Sequence, residues 1–461
     1  MSAGIGGKDG SWWEPSDTNL SFVGKLEMKK GRPRLTIKAA EYGQGSIHML
    51  AHHTTIHGIL TSGESVTLWD PFDQPAIHET RRSQSPWMSA HRTFTHAIIG
   101  GHLPSRDETI WSEVAVRFGG MKEWSRVLEP VPAGTDVAEL PTYPTAEILD
   151  PDGSGINVTI TLEDPQRVET DEEWPLGVIR DHTGENAQFR LVFSRPAPVQ
   201  LAEQVLADLQ AFMAFAFQSS AVYSTERAKV QPDDDWLRIH THHPTDKGSR
   251  VTHQWHRMLL RADDFDPSVV LPNWYRLLDE IFPVLQVLAM RLNIQSRVVE
   301  SSASSALAAA ERLHEYVGTT KERFDSELLK RNKALILGAV PGDGNKPFRV
   351  FLREVTQVVR PTLQTKLEEL FDRMDADAAA ELGIDRTGWI AAAKRVRNPL
   401  AHTGAHVTQR DGDARQSLDY VEGHTRAILS IVVLGLLGVT PEAIKRAATV
   451  LKTEMAVWNN Y

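Results

Sequence analysis

The chain has 461 residues, of which 41% are hydrophobic and 24% charged, with a net charge of −10 and no cysteine. That length exceeds the size at which a single core stops growing, so about two or three domains are expected, and the composition belongs to a chain that folds rather than to a disordered one. The missing cysteines exclude disulfides, thiolate metal sites and a cysteine nucleophile, and the acidic balance excludes a protein that coats nucleic acid through a broadly basic surface.

The first ten residues, Met1 to Gly10, lack the basic run and apolar stretch of a signal peptide. The best apolar run, Ile428 to Val439, is too short to span a bilayer, so a cytoplasmic protein with no membrane partner is expected.

From Trp12 to about Arg195 the text reads as strands. Short apolar or alternating runs at 22–26, 34–37, 65–69, 93–99, 114–118, 158–162 and 189–193 are separated by Gly and Pro punctuation. Many short strands without regular helical alternation predict an antiparallel sandwich or open barrel. After Pro198 the period changes: Leu201, Val205, Leu209, Met213 and Phe217 form one helical stripe, and strand-like pieces follow at 236–240 and 253–260.

From Pro272 onward the pattern is almost wholly helical, with helices predicted at 274–292, 302–317, 348–359, 363–374, 387–397, 415–437 and 441–457. Asp385 and Thr440 stand where caps belong, and the cluster Pro341-Gly342-Asp343-Gly344-Asn345 breaks the series. The expected class is α+β, with a β-rich N-terminal domain over 1–197, a mixed α/β connecting region over 198–266 and an all-α bundle over 267–461.

One segment of that bundle carries chemistry: Arg397-Asn398-Pro399-Leu400-Ala401-His402. Pro399 lacks an amide hydrogen and clashes with the carbonyl four residues back, so the helix should kink or end near Asn398. On an uninterrupted helix two residues five apart would point about 140° apart and could not easily converge. A guanidinium offers phosphate oxygens a planar fork, and an imidazole titrates near neutral pH, so the pair suits phosphoryl chemistry.

The segment resembles the Arg-polar-x-x-x-His motif of HEPN ribonucleases, with Arg397 and His402 at its ends and Asn398 at its polar position. The resemblance implies that Arg397 holds the scissile phosphate and His402 transfers the proton, with the RNA's own 2′-hydroxyl attacking and no metal or other cofactor required. It further implies a homodimer whose two motifs face one cleft, for which the apolar helices 428–439 or 274–292 could supply the interface. Lys394 and Arg395 could guide RNA backbone into the cleft, or form a solvated helix face. HEPN domains often carry a polar residue on an earlier helix beside the site. Glu311 could take that role toward Arg397 or His402, although Glu311 and His314, three apart on one helix face, also read as a surface pair.

Three N-terminal stretches extend the resemblance to ApeA-type HEPN proteins of bacterial anti-phage defence. They are Gly10-Ser11-Trp12-Trp13-Glu14-Pro15, Phe22-Val23-Gly24-Lys25-Leu26, and Ile56-His57-Gly58-Ile59-Leu60 leading to Val66-Thr67-Leu68-Trp69-Asp70. What it implies is an abortive-infection nuclease, held inactive until a phage signal releases it to cleave host RNA, tRNA among the candidates. The N-terminal half would then be the sensor. The competing readings are a catalytically silent HEPN scaffold that binds a protein or nucleotide partner, and a nucleotide-modifying member of a toxin–antitoxin pair.

Other features carry less. His48, His52, His53 and His57, and His240, His242, His243, His253 and His256, form two clusters that lack the accompanying acidic ligands of a metal site. The sequence Asp150-Pro151-Asp152-Gly153-Ser154-Gly155 has Thr161 where a calcium loop needs glutamate and reads as a turn. Gly4, Gly6, Gly7 and Gly10 follow no strand and make no dinucleotide fingerprint. Trp12, Trp13, Trp69, Trp87, Trp111 and Trp124 are expected to be core for the most part.

Overall fold

The computed structural model describes residues 7–29, 32–40, 53–73, 76–80, 87–124, 145–163, 187–219, 221, 223–241, 255–290, 299–320, 326–340, 347–350, 361–403 and 412–459. The chain divides into two compact units, Met1–Trp255 with Arg261–Tyr275, and His256–Leu260 with Arg276–Tyr461. The first is built on strands and the second on helices, the α+β class expected from the periodicities.

The first unit begins with β1 (Lys8–Glu14), β2 (Asp17–Lys29), β3 (Arg32–Ala40), β4 (Thr55–Leu60), β5 (Ser65–Pro71), β6 (Ala76–Thr80) and β7 (Trp87–Ile99). Antiparallel pairing runs β1–β2, β2–β3, β3–β7, β7–β5, β5–β4 and β4–β1, which closes a six-strand barrel. The barrel is therefore shut, where the sequence suggested an open one or a sandwich. β7 makes closure possible: at 13 residues it gives positions 87–93 to β3 and 94–99 to β5.

The barrel interior is the cluster of Trp12, Leu26, Leu35, Ile37, Ile56, Val66, Leu68 and Phe94. The three N-terminal stretches singled out above meet there. Trp12 stands opposite Phe22 on β2 and opposite Gly58 on β4, and its indole N–H donates to the Gly24 carbonyl at 3.2 Å. A Cβ at Gly58 would lie 2.2 Å from the indole ring, so the glycine is what admits the tryptophan. The one fully buried polar side chain of β5, Thr67, is satisfied: its hydroxyl donates to the Gly101 carbonyl and accepts the Leu103 amide, both at 2.9 Å.

A second antiparallel run extends from β7 through β13 (Leu237–Thr241), β12 (Tyr223–Lys229), β8 (Ile110–Phe118), β11 (Gln188–Pro198), β10 (Val158–Glu163) and β9 (Thr145–Ile148). The single turn α1 (Met121–Trp124) follows β8, and α2 (Val199–Phe217) packs on β8 and β11. The whole stripe of Leu201, Val205, Leu209, Met213 and Phe217 is buried, as its spacing predicted. Each strand predicted between 22 and 193 is present, but 255–257 forms a 3₁₀ turn where a strand was expected.

Helix α3 (Pro267–Met290) has non-helical geometry at Ile281, φ −134° and ψ 33°, two residues before Pro283, whose ring cannot follow an undistorted turn. Its residues from Arg276 belong to the second unit, which continues with α4 (Val299–Val317), α5 (Ser326–Ala339), α6 (Leu363–Asp372), α7 (Ala376–Leu382), α8 (Arg386–Thr403), α9 (Gly412–Leu437) and α10 (Pro441–Asn459). α9 is the centre: it packs against α4, α8 and α10 and buries Ile428, Leu429 and Ile431 through Leu434. Asp385 caps α8 by accepting the Thr387 amide at 3.1 Å, and Thr440 caps α10 by accepting the Ala443 amide at 3.3 Å. Most of the helix predicted at 348–359 lies outside the described residues.

Candidate functional site

Helix α8 is anchored at its first turns. Trp389 and Ala393 are wholly buried, and the Trp389 indole N–H donates to the Thr425 hydroxyl of α9 at 3.1 Å. The next positions emerge from the core: Lys394 and Arg395 are exposed, and Arg397 is 43% exposed.

Of the kink or end expected near Asn398, the end does not occur: α8 continues through Pro399 to Thr403. The proline removes the bond its amide would have made to the Arg395 carbonyl. That loss falls in the last turns of a helix already held by its buried half, where tertiary packing overrides propensity. Positions 397 and 402 therefore lie on one helix, about 140° apart around its axis.

Glu311, on α4, reaches Arg397. Its Oε1 accepts from the Arg397 Nε at 3.3 Å and lies 3.2 Å from the Nη2, across 86 residues of sequence. Its Oε2 accepts from the Nζ of Lys366 on α6 at 3.0 Å. Burial works to raise the Glu311 pKa, but the hydrogen bond and charge of Lys366, with the charge of Arg397, hold it below its ordinary value. The carboxylate stays ionised between two cations.

The surface pairing of Glu311 with His314 does not form. His314 is buried and its Nε2 meets the Glu369 carboxylate of α6 at 3.0 Å, while Glu369 also accepts the Thr319 amide at 2.8 Å and the Thr320 amide at 3.2 Å. Despite desolvation, these donors, led by Thr320, hold the Glu369 pKa down to about 2. α4 and α6 are thus tied by the Glu311–Lys366 ion pair and the His314–Glu369 hydrogen bond. Gly318 closes the α4 end: a Cβ there would lie 2.4 Å from the His314 Nε2 and 2.6 Å from its carbonyl oxygen. Lys366 and Glu369 carried no signal in the sequence, because each partner lies 55 residues away.

Lys394 donates from Nζ to the Gln364 side chain of α6 at 3.0 Å. The side chains of Asn398 and His402 lie outside the described set. The apolar helices considered for a subunit interface use those side chains internally: Ile428, Leu429 and Val433, like Leu277, Ile281 and Leu285, are buried in this chain.

Elsewhere, Trp12, Trp69, Trp111 and Trp124 are core residues, while the Trp87 side chain lies outside the described set. His53 meets Glu14 at 3.0 Å, and His57 stacks on His102 with ring centroids 4.9 Å apart. Burial lowers the His57 pKa, against the raising effect of its bond to the Leu103 carbonyl. No group of three metal-ligating side chains occurs among the described residues. Asp150 to Gly155 form a turn between β9 and β10, in which the Asp150 carboxylate accepts the Gly155 amide at 2.6 Å.

A family model described as ApeA N-terminal domain 1 matches residues 7–274, a span that coincides closely with the first unit. No curated protein and no solved structure matches the chain.

Proposed function

The chain belongs to the ApeA N-terminal domain 1 family, and with it to the ApeA-like proteins of anti-phage defence; on that premise we propose that its second unit is a metal-independent endoribonuclease of the HEPN type. One observation carries the reading. A carboxylate from α4 grips Arg397 at 3.2–3.3 Å on one side while the guanidinium stays 43% exposed on the other, on the helix that also bears His402. An arginine fixed in this way can meet a phosphate with its remaining donors without first being ordered.

In this reading Arg397 binds the scissile phosphate and offsets the charge that develops on it. His402 takes the proton from the attacking 2′-hydroxyl or returns one to the leaving 5′-oxygen. The products are a 2′,3′-cyclic phosphate and a 5′-hydroxyl. Asn398 supports the site, Glu311 orients Arg397, and Lys394 and Arg395 present cations to RNA backbone.

Because positions 397 and 402 diverge by about 140° on one helix, the arginine of one copy works with the histidine of a second in a cytoplasmic homodimer. The barrel unit senses the phage, and cleavage of host RNA, tRNA among the candidates, halts growth.

The test is infection of cells carrying the wild type, His402→Ala, or His402→Ala together with Arg397→Ala on separate chains. Wild type is expected to protect and to create RNA ends bearing 2′,3′-cyclic phosphate, and His402→Ala to do neither. The mixed pair should recover part of the cleavage, since a dimer of the two variants keeps one intact site. Equal protection by wild type and His402→Ala would remove the nuclease reading.

A further inference from the structure

Glu311 divides its carboxylate between two cations that differ in what else they can touch. Lys366 is 6% exposed and Arg397 is 43% exposed, with Glu311 between them at 25%. Lys366 Nζ lies 3.0 Å from Oε2, and the Arg397 guanidinium lies 3.2 Å from Oε1. The buried amine therefore has no route to a ligand, whereas the guanidinium does.

The charge balance gives Lys366 a task. A pair of Glu311 and Arg397 alone is neutral, and an anion approaching the guanidinium would meet a carboxylate almost as near as the cation. With Lys366 bound to the far oxygen, two positive charges stand against one negative, and the excess lies where the group opens to solvent. We propose that Lys366 is a positioning residue. It holds Glu311 and offsets its charge, so that Arg397 is ordered by the carboxylate yet remains attractive to a phosphodiester. This rests on the reading of Arg397 as the phosphate-holding group.

A purely structural ion pair would have the same geometry, so the test must read charge rather than folding. The full-length protein carrying His402→Ala, which does not cleave, is titrated with a short labelled single-stranded RNA at several salt concentrations. Adding Lys366→Met is expected to weaken binding about tenfold at low salt, with the difference from the parent shrinking as added salt screens the missing charge. Lys366→Arg should restore most of the affinity.

Adding Glu311→Gln alone keeps a side-chain oxygen that can accept from Arg397 while removing the negative charge, so it is expected to tighten binding several-fold. Combining Glu311→Gln with Lys366→Met should return affinity to near the parent. A structural role predicts the opposite for Glu311→Gln, namely weaker binding, and that result overturns the proposal. So does unchanged affinity in a folded Lys366→Met. If the parent's RNA binding does not depend on Arg397, measured with Arg397→Ala, the reading of the site fails first. If it does depend on Arg397 while both charge variants are silent, only the role of Lys366 fails.

Discussion

Replacing Arg397 with alanine is expected to lower RNA cleavage in infected cells by a factor of about 10²–10³, the usual cost of removing one preorganised donor from a developing oxyanion. Two effects combine. The phosphate loses its fork of donors, and Glu311, ionised and still bound to Lys366, becomes the nearest charge to the substrate. Arg397→Lys should recover little, because a single ammonium cannot both satisfy Glu311 and present a planar pair of donors. Counting newly formed RNA ends per cell after infection measures both variants. A loss below about threefold in Arg397→Ala would mean that the exposed side of the guanidinium faces no substrate.

The second large effect is on the barrel. Trp12→Ala should destabilise the first unit by about 3–5 kcal/mol, the range for removing a large aromatic from a packed core. Trp12 is wholly buried, its N–H is bound to the Gly24 carbonyl, and its ring lies over Gly58, so the cavity would open between β1, β2 and β4. The small residues around it have no side chain with which to collapse inward. Urea unfolding of the full chain, followed by tryptophan fluorescence, should show an earlier transition, with the helical unit's own transition little moved. An unchanged profile would mean that the three stretches meeting at Trp12 do not hold the barrel shut.

Much of this architecture was legible where burial has one period. β11 alternates Phe189, Leu191 and Phe193 inward against Arg190 and Val192, and α2 carries its stripe every four residues. The strands without such a signal were missed. β12, Tyr223–Lys229, is polar in sequence, and β9 has four residues. Closure of the barrel was also unreadable, because it depends on β7 serving β3 and β5 with different halves of its length, a pairing that no local pattern encodes.

At the site, sequence rules pointed to Arg397 and His402 but misjudged their setting. Proline chemistry allowed an end to the helix that packing of Trp389 and Ala393 overrides. Local spacing favoured a Glu311–His314 surface pair, whereas the alternative of Glu311 beside Arg397 is the contact that forms and His314 has its partner on another helix. An interaction between residues 55 or 86 positions apart leaves no periodicity to read. Lys366 is the clearest case: within α6 it reads as an ordinary surface lysine, and only the fold buries it against Glu311.

The central claim is that this protein cuts RNA with the substrate's own 2′-hydroxyl, and it is tested most directly in lysates of infected cells expressing the protein. The substrate is an RNA oligomer spanning a site cut in vivo, supplied with EDTA, beside the same oligomer bearing a single 2′-deoxy sugar at that site. Cleavage of the first to a 2′,3′-cyclic phosphate, with the second left intact, is the predicted result. Cleavage of both, or loss of all cutting on adding EDTA, would contradict it.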